Sequence, residues 1–496
     1  MIGEYWNRVK SGEEVRGNLI ALKAALKEDA AKEEWAGLLK EEENRRLIEK
    51  LLGSEDPKIR KNAALLAGRS GDSAWTDVLY HAYEAEEQMF VKSSYLAALS
   101  ELNYFPVLDR LKKRRDELII SEPDEQNRKH IGEELRELDR MILSAEQPKP
   151  HRFNGHGAEY TIILTTNRNH IHVTAEALKG VPMKTLPAGL MIRTDRPGEL
   201  ARIRTWSEAL FVAADMKSCP ADIGEAAEII AGGENALLRF LRSCHEGAAP
   251  FYFRLDVKSG MDQEKKAAFI KKLAAAIEKA SGRTLINTPS FYELELRLIE
   301  NREKAFNIVI KLLTCRDTRF SYRKNVTAAS IHPVNAALTA ALARPYLKER
   351  AQILDPFCGV GTMLIERARL VRAGTMYGID CFHDAVRDAR ENTQAAGLSV
   401  NYINRDFFDF RHAYLFDEMI TDMPWTGREA QKGEIEAIYR RFFVKAAGLL
   451  KAGGVIILYT HDRDLVKRYK GNRFRLAAEY EVSMKEGTHV MILLYQ

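Results

Sequence analysis

The residues best suited to chemistry lie in the segment AQILDPFCGVGTMLIE, residues 351–366. A short apolar run ends at Asp355, a turn containing Gly359 and Gly361 follows, and Thr362 opens a helix-forming segment. This order of strand, glycine turn and helix is how an open α/β sheet builds a nucleotide pocket at the carboxyl end of a strand. Glycines let the backbone approach a ligand because they have no Cβ atom, and the first turn of a helix presents unpaired N–H groups.

The spacing of this turn excludes two common phosphate-bearing ligands. A dinucleotide fingerprint requires a third glycine three residues after the second, and that position is Leu364. A Walker loop requires Gly-Lys-Ser/Thr, which does not follow the turn. The ligand that remains is S-adenosylmethionine, which carries a carboxylate and a ribose but no phosphate. The sequence therefore predicts S-adenosylmethionine as cofactor, contacted by Asp355, Pro356, Phe357, Cys358, Gly359, Gly361 and Thr362.

Two further acids follow the next apolar segments. Residues 375–380, TMYGID, predict a second strand ending at Asp380, whose carboxylate is placed to accept hydrogen bonds from both ribose hydroxyls. Residues 400–406, VNYINRD, predict a third strand followed by Asp406, which we expect to meet the adenine amino group. The alternative is that these acids only cap loops or helices. The residue after each acid completes the predicted cofactor site: Cys381 and Phe407.

A fourth strand end carries groups suited to a nucleobase. Residues 416–425, FDEMITDMPW, predict an apolar strand that runs out into Asp422, Pro424 and Trp425. An exocyclic amine is a weak nucleophile because its lone pair is delocalised into the ring. A carboxylate and a backbone carbonyl can accept its two N–H bonds, while an aromatic side chain stacks on the base. Asp422, Pro424 and Trp425 are therefore the predicted catalytic residues, with a plain strand-end turn as the alternative.

This segment is close to the [DNS]-P-P-[YFW] tetrapeptide of enzymes that methylate exocyclic amino groups of bases. Met423 stands where that tetrapeptide has its first proline. The departure predicts a more flexible loop, and with it a slower reaction or a changed substrate. Cofactor binding does not depend on this position.

Residues 355–362, DPFCGVGT, nearly match the signature of the THUMP-associated RNA methyltransferases, which make N2-methylguanosine in tRNA or large-subunit rRNA. Residues 319–343 resemble the link between that family's RNA-binding part and its catalytic domain. The resemblance implies methylation of guanine N2 in structured RNA, and it makes Arg323 and Lys324 candidates for phosphate contacts. Arg428, in the polar loop after the fourth strand, is a third candidate, with a surface role as the alternative.

The middle of the chain shows a fainter resemblance to the same family. Residues 158–214 look like the small ferredoxin-like module that often precedes a THUMP domain. Residues 250–312 predict a strand, an amphipathic helix ending near Gly282, and a hairpin, which is the order of half a THUMP domain. We therefore expect an α+β, RNA-binding region over residues 157–318.

The first 145 residues are almost all helix-forming. Residues 56–72 resemble a HEAT repeat, with Arg60 on the outside, and residues 90–102 align with them. Such repeats stack into a solenoid, so we expect a HEAT-like module over residues 1–146 that binds a protein partner; an ordinary helical bundle is the alternative. The basic run at residues 112–115 is more typical of a solvated helix face than of an RNA contact.

The amino-acid composition limits the class of protein to which the chain can belong. The chain has 496 residues with 46% hydrophobic and 29% charged residues, a balance typical of soluble globular proteins. The net charge of +5 permits an RNA partner without requiring one. The five cysteines form no CxxC pair, so neither a disulfide framework nor a metal site is expected. An apolar signal core and an apolar run long enough to span a membrane are both missing, so we expect a cytoplasmic protein without a membrane partner.

These patterns predict a multidomain α and α/β protein. A Rossmann-like, seven-stranded methyltransferase sheet is expected over residues 319–496, with its last two strands forming an antiparallel hairpin. The leading hypothesis is an S-adenosylmethionine-dependent methyltransferase acting on guanine N2 in tRNA or rRNA. The alternatives are a DNA adenine-N6 methyltransferase and a scaffold that binds cofactor with little or no turnover.

Overall fold

The computed structural model describes residues 2–26, 28–120, 127–147, 149–155, 157–233, 235–425 and 432–496. The chain divides into two compact units, residues 1–149 and residues 150–496. The predicted middle and catalytic regions both lie within the second unit. No helix of the described ranges combines the length and the apolar character needed to cross a membrane.

The first unit is built from helices. They are α1 (Ile2–Lys10), α2 (Val15–Ala25), α3 (Asp29–Leu38), α4 (Glu42–Leu52), α5 (Pro57–Gly68), α6 (Thr76–Ala85), α7 (Met89–Leu99), α8 (Leu108–Ile120) and α9 (Arg128–Glu146). Helix α5 begins at Pro57, and the preceding Asp56 caps it by accepting a hydrogen bond from the Lys58 N–H at 2.8 Å. Helices α5 and α7 pack closely, since a Cβ atom on Gly68 would lie 2.5 Å from the Ala98 carbonyl oxygen.

The position of one side chain of this unit corrects the sequence-based interpretation. Arg60, expected on the outside, has a side chain only 17% exposed and forms an ion pair with buried Glu86 at 2.6 Å. The basic run is held in ion pairs: Lys112 with Glu146, Arg114 with Glu134, and Arg115 with Asp116. The HEAT-like arrangement of these helices stays a prediction.

The second unit opens with an α+β region. Its strands are β1 (Arg152–Phe153), β2 (Tyr160–Thr166), β3 (Met183–Leu186), β4 (Gly189–Thr194), β5 (Trp206–Val212), β6 (Ser218–Cys219), β7 (His245–Glu246), β8 (Phe251–Lys258), β9 (Leu285–Asn287), β10 (Leu294–Glu300) and β11 (Phe306–Leu312). Its helices are α10 (Ile171–Ala177), α11 (Ile223–Ala231), α12 (Ala236–Cys244) and α13 (Gln263–Ala280).

One sheet joins the two modules predicted for this region. Its order is β3-β4-β2-β5-β11-β10-β8-β9, with β6 also beside β11. Strand β5 of the first predicted module pairs with β11 of the second, Phe211 opposite Ile310. The predicted order of strand, helix and hairpin is confirmed as β8, α13 and the antiparallel pair β10–β11.

The rest of the second unit is a second sheet with helices. Its strands are β12 (Ile353–Asp355), β13 (Met376–Asp380), β14 (Asn401–Asn404), β15 (Phe416–Asp422), β16 (Leu450–Thr460), β17 (Phe474–Ser483) and β18 (Thr488–Tyr495). Its helices are α14 (Pro333–Ala343), α15 (Thr362–Leu370), α16 (His383–Ala395), α17 (Lys432–Ala447) and α18 (Arg463–Tyr469). Short 3₁₀ turns include Pro197–Arg202 in the first sheet region and Phe407–Asp409 here.

The strand order of this sheet is β14-β13-β12-β15-β16-β18-β17. Strands β12 to β16 are parallel, and β18 is antiparallel to both of its neighbours. The seven-stranded sheet with a closing antiparallel hairpin is thus confirmed. Two successive glycines, Gly453 and Gly454, are typical of the end of a helix, but α17 ends at Ala447 and both glycines lie inside β16.

A buried ion pair connects the glycine-turn helix to the strand that carries the fourth acid. Arg367 on α15 donates two hydrogen bonds to Glu418 on β15, at 2.8 and 2.9 Å, and both side chains are fully buried. A buried pair of this kind is costly to break because the remaining charge would have no partner. The helix that follows the predicted cofactor turn and the strand that ends at Asp422 are therefore fixed to each other.

Candidate active site

Three strand-end carboxylates face one cavity of about 1070 Å³. Asp355 ends β12, Asp380 ends β13 and Asp422 ends β15, and these strands are neighbours in the sheet. Because the carboxyl ends of parallel strands meet at one edge, acids distant in sequence lie together there. The other predicted residues that line the cavity are Phe357, Cys358, Gly359, Thr362, Pro424 and Trp425.

Asp355 lies at the floor of this site. Its carboxylate accepts hydrogen bonds from the Thr421 hydroxyl at 2.6 Å and from the Phe357 N–H at 3.2 Å. Burial, together with the nearby charges of Asp380 and Asp422, raises the pKa of Asp355 to about 8. The carboxylate has no cationic partner among the groups that shift its pKa, which suits a site for a positively charged ligand.

Asp380 fits the ribose role that the sequence suggested. One carboxylate oxygen accepts the Gly359 N–H and the other accepts the Phe382 N–H, each at 2.9 Å. An ionised carboxylate has about four acceptor sites, so each oxygen keeps one for a ligand hydroxyl. The two backbone bonds also hold the carboxylate in a fixed orientation at the cavity.

The two glycines of the turn serve different purposes. Gly359 has φ +49° and no atom within 4 Å of a built Cβ, so its missing side chain leaves open space at the cavity. Gly361 has φ +82°, and a Cβ there would overlap the Tyr402 hydroxyl. Packing against Tyr402 is therefore one reason for a glycine at position 361, and the cofactor contact expected there stays a prediction.

Thr362 offers the clearest test of whether a polar ligand fits. Its side-chain oxygen is buried, lines the cavity, and has no hydrogen-bond partner within the described part of the chain. A buried hydroxyl without a partner costs free energy. The carboxylate, ribose hydroxyls or other polar groups of S-adenosylmethionine are of the kind that would satisfy it.

Five predicted cofactor residues lie outside the residues that line the cavity: Pro356, Gly361, Cys381, Asp406 and Phe407. The Asp406 carboxylate instead accepts the Phe408 N–H at 2.8 Å and caps the short turn Phe407–Asp409. Phe407 is buried in the hydrophobic core. The capping alternative thus describes Asp406 better than the predicted adenine contact does.

The segment from Asp422 to Trp425 forms the opposite side of the cavity. Burial raises the pKa of Asp422 to about 7. Met423 is 2% exposed, and its N–H donates to the Tyr459 carbonyl at 2.9 Å, so the residue expected to loosen the loop is anchored. Trp425 is 54% exposed, with its ring centroid 4.6 Å from that of His461.

The three RNA-contact candidates have different surroundings. Arg323 is half-buried, donates to the Ile331 carbonyl at 3.4 Å, and has a pKa lowered by burial. Lys324 is exposed, while its backbone N–H donates to Asn392 at 2.8 Å. Arg428 lies outside the described residues. His332 caps helix α14, as a structural residue would.

Sequence reasoning missed one wall of the cavity. Residues 327–331, which precede α14, line it, and so do Phe382 and His461. The chain is directed there by Asn392, which accepts the Asn325 N–H at 3.0 Å and donates to the Val360 carbonyl at 3.1 Å. Phe382 was detectable as an aromatic residue two positions after Asp380, whereas the small residues 327–331 carry no local signal.

Known proteins are similar to parts of this chain. Residues 321–490 match a family model described as RMKL-like, methyltransferase domain. A curated tRNA (guanine(10)-N2)-dimethyltransferase from Methanothermobacter thermautotrophicus is 34% identical over 142 residues, 28% of this chain and 41% of that protein. A tRNA (guanine(6)-N2)-methyltransferase from Thermus thermophilus is 32% identical over 164 residues, 32% of this chain and 47% of that protein. The chain thus spans less than half of either relative.

Two solved structures share the fold. TrmN from Thermus thermophilus has a TM-score of 0.50 at 21% identity, covering 68% of this chain and all of that one. SMU.472, a putative methyltransferase complexed with SAH, has a TM-score of 0.52 at 14% identity, covering 68% of this chain and 98% of that one. The fold and site together define a methyltransferase-type domain in the second unit, and the matched family supports S-adenosylmethionine as cofactor.

Proposed function

We propose that the chain is an S-adenosylmethionine-dependent RNA methyltransferase that modifies N2 of guanosine, with tRNA as its substrate. The observation that carries the proposal is the position of Asp422 and Trp425 on the same cavity as Asp355 and Asp380. An amine acceptor, an aromatic stacking surface and two further carboxylates thus surround one space. The partial matches to two tRNA guanine-N2 methyltransferases favour this substrate class.

The cofactor would be held by the strand ends β12 and β13. Asp380 would accept the ribose hydroxyls, Thr362 would bond a polar group, and Gly359 leaves space for the ligand backbone. S-adenosylmethionine supplies a methyl group on a positively charged sulfur. A cation beside Asp355 and Asp422 would favour their ionised forms and lower their raised pKa values, because opposite charges attract strongly in a partly dehydrated site.

Asp422 and Trp425 would hold the base. In its ionised form the Asp422 carboxylate accepts an N–H of the guanine 2-amino group, and the backbone carbonyl of Pro424 is a candidate for the second. Stacking of the base on Trp425 contributes about 1–3 kcal/mol. The acceleration would come mainly from this positioning against the methyl donor, and the target nucleotide would have to leave its stack to reach the cavity.

The other regions would serve RNA and protein binding. We assign the ferredoxin-like and THUMP-like roles to the sheet whose edge strands are β3 and β9. This region would bind RNA through its shape and backbone, and the exposed Lys324 would contact a phosphate beside the site. Binding should therefore weaken as salt concentration rises. The helices of the first unit are proposed to bind a protein partner.

The test is methyl transfer to nucleic acid of known origin. Full-length protein is incubated with radiolabelled S-adenosylmethionine and total RNA from cells that lack the protein, then the RNA is digested and its nucleosides are separated. Labelled N2-methylguanosine in the tRNA fraction is the expected result. Labelled N2-methylguanosine in the rRNA fraction would show that rRNA, and not tRNA, is the substrate. Label in N6-methyladenosine of added DNA, or no label anywhere, would reject the proposal.

A further inference from the structure

The ring of Trp425 is in contact with a residue from a neighbouring strand end. Trp425 lies three residues past the end of β15, and His461 lies one residue past the end of β16. Their ring centroids are 4.6 Å apart with an interplanar angle of 31°. Both rings line the same cavity. The imidazole therefore lies against one side of the indole, and no local motif marks His461 in the sequence.

His461 is itself held by the sheet. Its Nδ1 lies 3.1 Å from the Thr488 hydroxyl and 3.3 Å from the Glu486 carbonyl oxygen. Tyr459 meets the imidazole edge-on, with ring centroids 6.1 Å apart. The Tyr459 hydroxyl accepts a hydrogen bond from Asn335 at 3.1 Å. The imidazole is thus tied to the β17–β18 hairpin and to helix α14, whereas the indole lies 54% exposed.

An aromatic ring has two faces on which another ring can stack. Aromatic rings in contact prefer offset or edge-to-face arrangements with centroids roughly 4.5–7 Å apart. The centroid distance between His461 and Trp425 lies at the short end of this range. With one face of the indole covered, a base can stack only on the other. The plane of that base then follows from the orientation of His461.

We infer that His461 is a positioning residue for the target base, acting through Trp425. The inference rests on the proposed function and adds one element to it: the plane in which the base meets the methyl donor is fixed by the end of β16. His461 need not exchange a proton with the substrate for this role. What it supplies is a flat ring in a fixed place.

The test uses three substitutions that separate ring from hydrogen bonds. His461→Phe keeps a flat ring and loses the contacts to Thr488 and Glu486, His461→Gln keeps polar contacts without a ring, and His461→Ala loses both. For Ala and Gln we expect kcat to fall by about 10- to 30-fold, with the KM for RNA and the Kd for cofactor changed less than about 3-fold. For Phe we expect kcat within about 3-fold of the wild type.

A second readout does not depend on turnover. Acrylamide quenching of Trp425 fluorescence is obtained as the difference between each protein and the same protein carrying Trp425→Phe, since the chain has five tryptophans. Loss of the ring in the Ala and Gln variants should raise this quenching, and Phe should leave it near the wild-type value. His412→Ala is the matched control, because His412 also packs on aromatic rings, 4.6 Å from Tyr377, but does not line the cavity.

Three results would overturn the inference. Equal losses for Phe and Ala would indicate that the imidazole is needed for its nitrogens. Unchanged kcat in all variants would remove any positioning role, and a higher kcat/KM for Ala would mean that His461 occupies the place of the base. If the wild-type protein transfers no methyl group, the proposed function fails and the positioning role with it, while the quenching data still report whether the two rings are in contact.

Discussion

Glu208 in the first sheet of the second unit and the strand-end acids Asp355 and Asp422 in the second sheet have opposite electrostatic surroundings. In the first sheet, Glu208 accepts hydrogen bonds from Arg297 at 2.7 Å and from Lys311 at 2.8 Å, and these cations hold its pKa at about 2 despite burial. At the strand ends of the second sheet, Asp355 and the largely buried Asp422 have no such cation among the residues that the structure describes, and their pKa values rise to about 8 and about 7.

The difference separates carboxylates that support the fold from carboxylates that await a ligand. A buried acid with its own cationic partner stabilises the protein at neutral pH, whereas one without a partner costs stability. Perturbed acids without internal partners cluster at functional sites. Asp355 and Asp422 therefore differ from Glu418 of the same sheet, which is paired with Arg367, and a positively charged ligand in the cavity would supply the charge that they lack.

The largest expected effect tests the assigned role of Asp422. Asp422→Ala should lower the methyl-transfer rate by about 10²–10³-fold, because an acceptor that positions the amine is lost. Cofactor affinity measured by calorimetry should stay within about 3-fold. Asp409→Ala, at an exposed acid outside the cavity, is the control. Transfer by Asp422→Ala at a rate close to that of the wild type would show that this carboxylate also serves only the fold.

A pH series should give opposite signs for the two regions. The pKa of Asp422 is higher in the folded state than its ordinary 3.8, so its ionisation costs stability as pH rises from about 4 to about 7. Asp422→Asn should therefore stabilise the second unit, with a gain that grows by about 2–3 kcal/mol between about pH 5 and about pH 8.5.

Glu208→Gln should act in the reverse direction. The pKa of Glu208 is about 2 when folded and 4.5 ordinarily, so its contribution is present above about pH 4.5 and is lost as pH falls towards 2. We expect a cost of about 2–3 kcal/mol near pH 7. Urea titrations of the full chain at several pH values measure both variants. Parallel pH profiles for the two substitutions would contradict the comparison.

The two glycines of the turn allow the same comparison between a residue that supports the fold and a residue that leaves space for a ligand. Gly361→Ala should destabilise the second unit by about 2–3 kcal/mol, because its Cβ would overlap Tyr402 in a backbone conformation that alanine avoids. Gly359→Ala should cost only about 1 kcal/mol, yet weaken cofactor binding at least as much as Gly361→Ala does. Thermal unfolding and calorimetry separate the two effects. Similar losses of stability in both variants would mean that a side chain at position 359 meets protein atoms, as one at position 361 does.

The smallest expected effect distinguishes the two remaining acids. Asp380→Asn should weaken cofactor binding by about 10-fold, because a neutral amide replaces a carboxylate that is expected to accept two hydroxyls. Asp406→Asn should leave the affinity within about 2-fold, since Asp406 caps a short turn away from the cavity lining. If the two variants lost affinity equally, the adenine contact first expected for Asp406 would be restored.

The sequence was informative where a local pattern dictates the structure. Apolar runs that end in Asp355, Asp380 and Asp422 predicted parallel strands with acids at one edge, because strand direction and sheet packing follow from such runs. Asp406 followed the same local pattern and yet caps a turn. Whether an acid faces a ligand or a nearby N–H depends on the path of the chain after the strand, which the pattern does not contain.

Other features required the folded chain. Gly361 is a glycine because of Tyr402, which follows it by some forty residues and reaches it from β14. Residues 327–331 enter the cavity wall only because Asn392 binds the chain just before them. His461 meets Trp425 because β15 and β16 are neighbours. Contacts of this kind join segments that are distant in the chain, and the local pattern of neither segment predicts them.

Met423 illustrates how a departure from a motif can be compensated by its surroundings. A proline at this position would have no N–H, whereas methionine donates one to the Tyr459 carbonyl and extends the ladder between β15 and β16 by one rung. Replacing Met423 with the motif's proline would therefore remove this hydrogen bond. The paired part of β15 and β16 that precedes Pro424 and Trp425 would become one residue shorter.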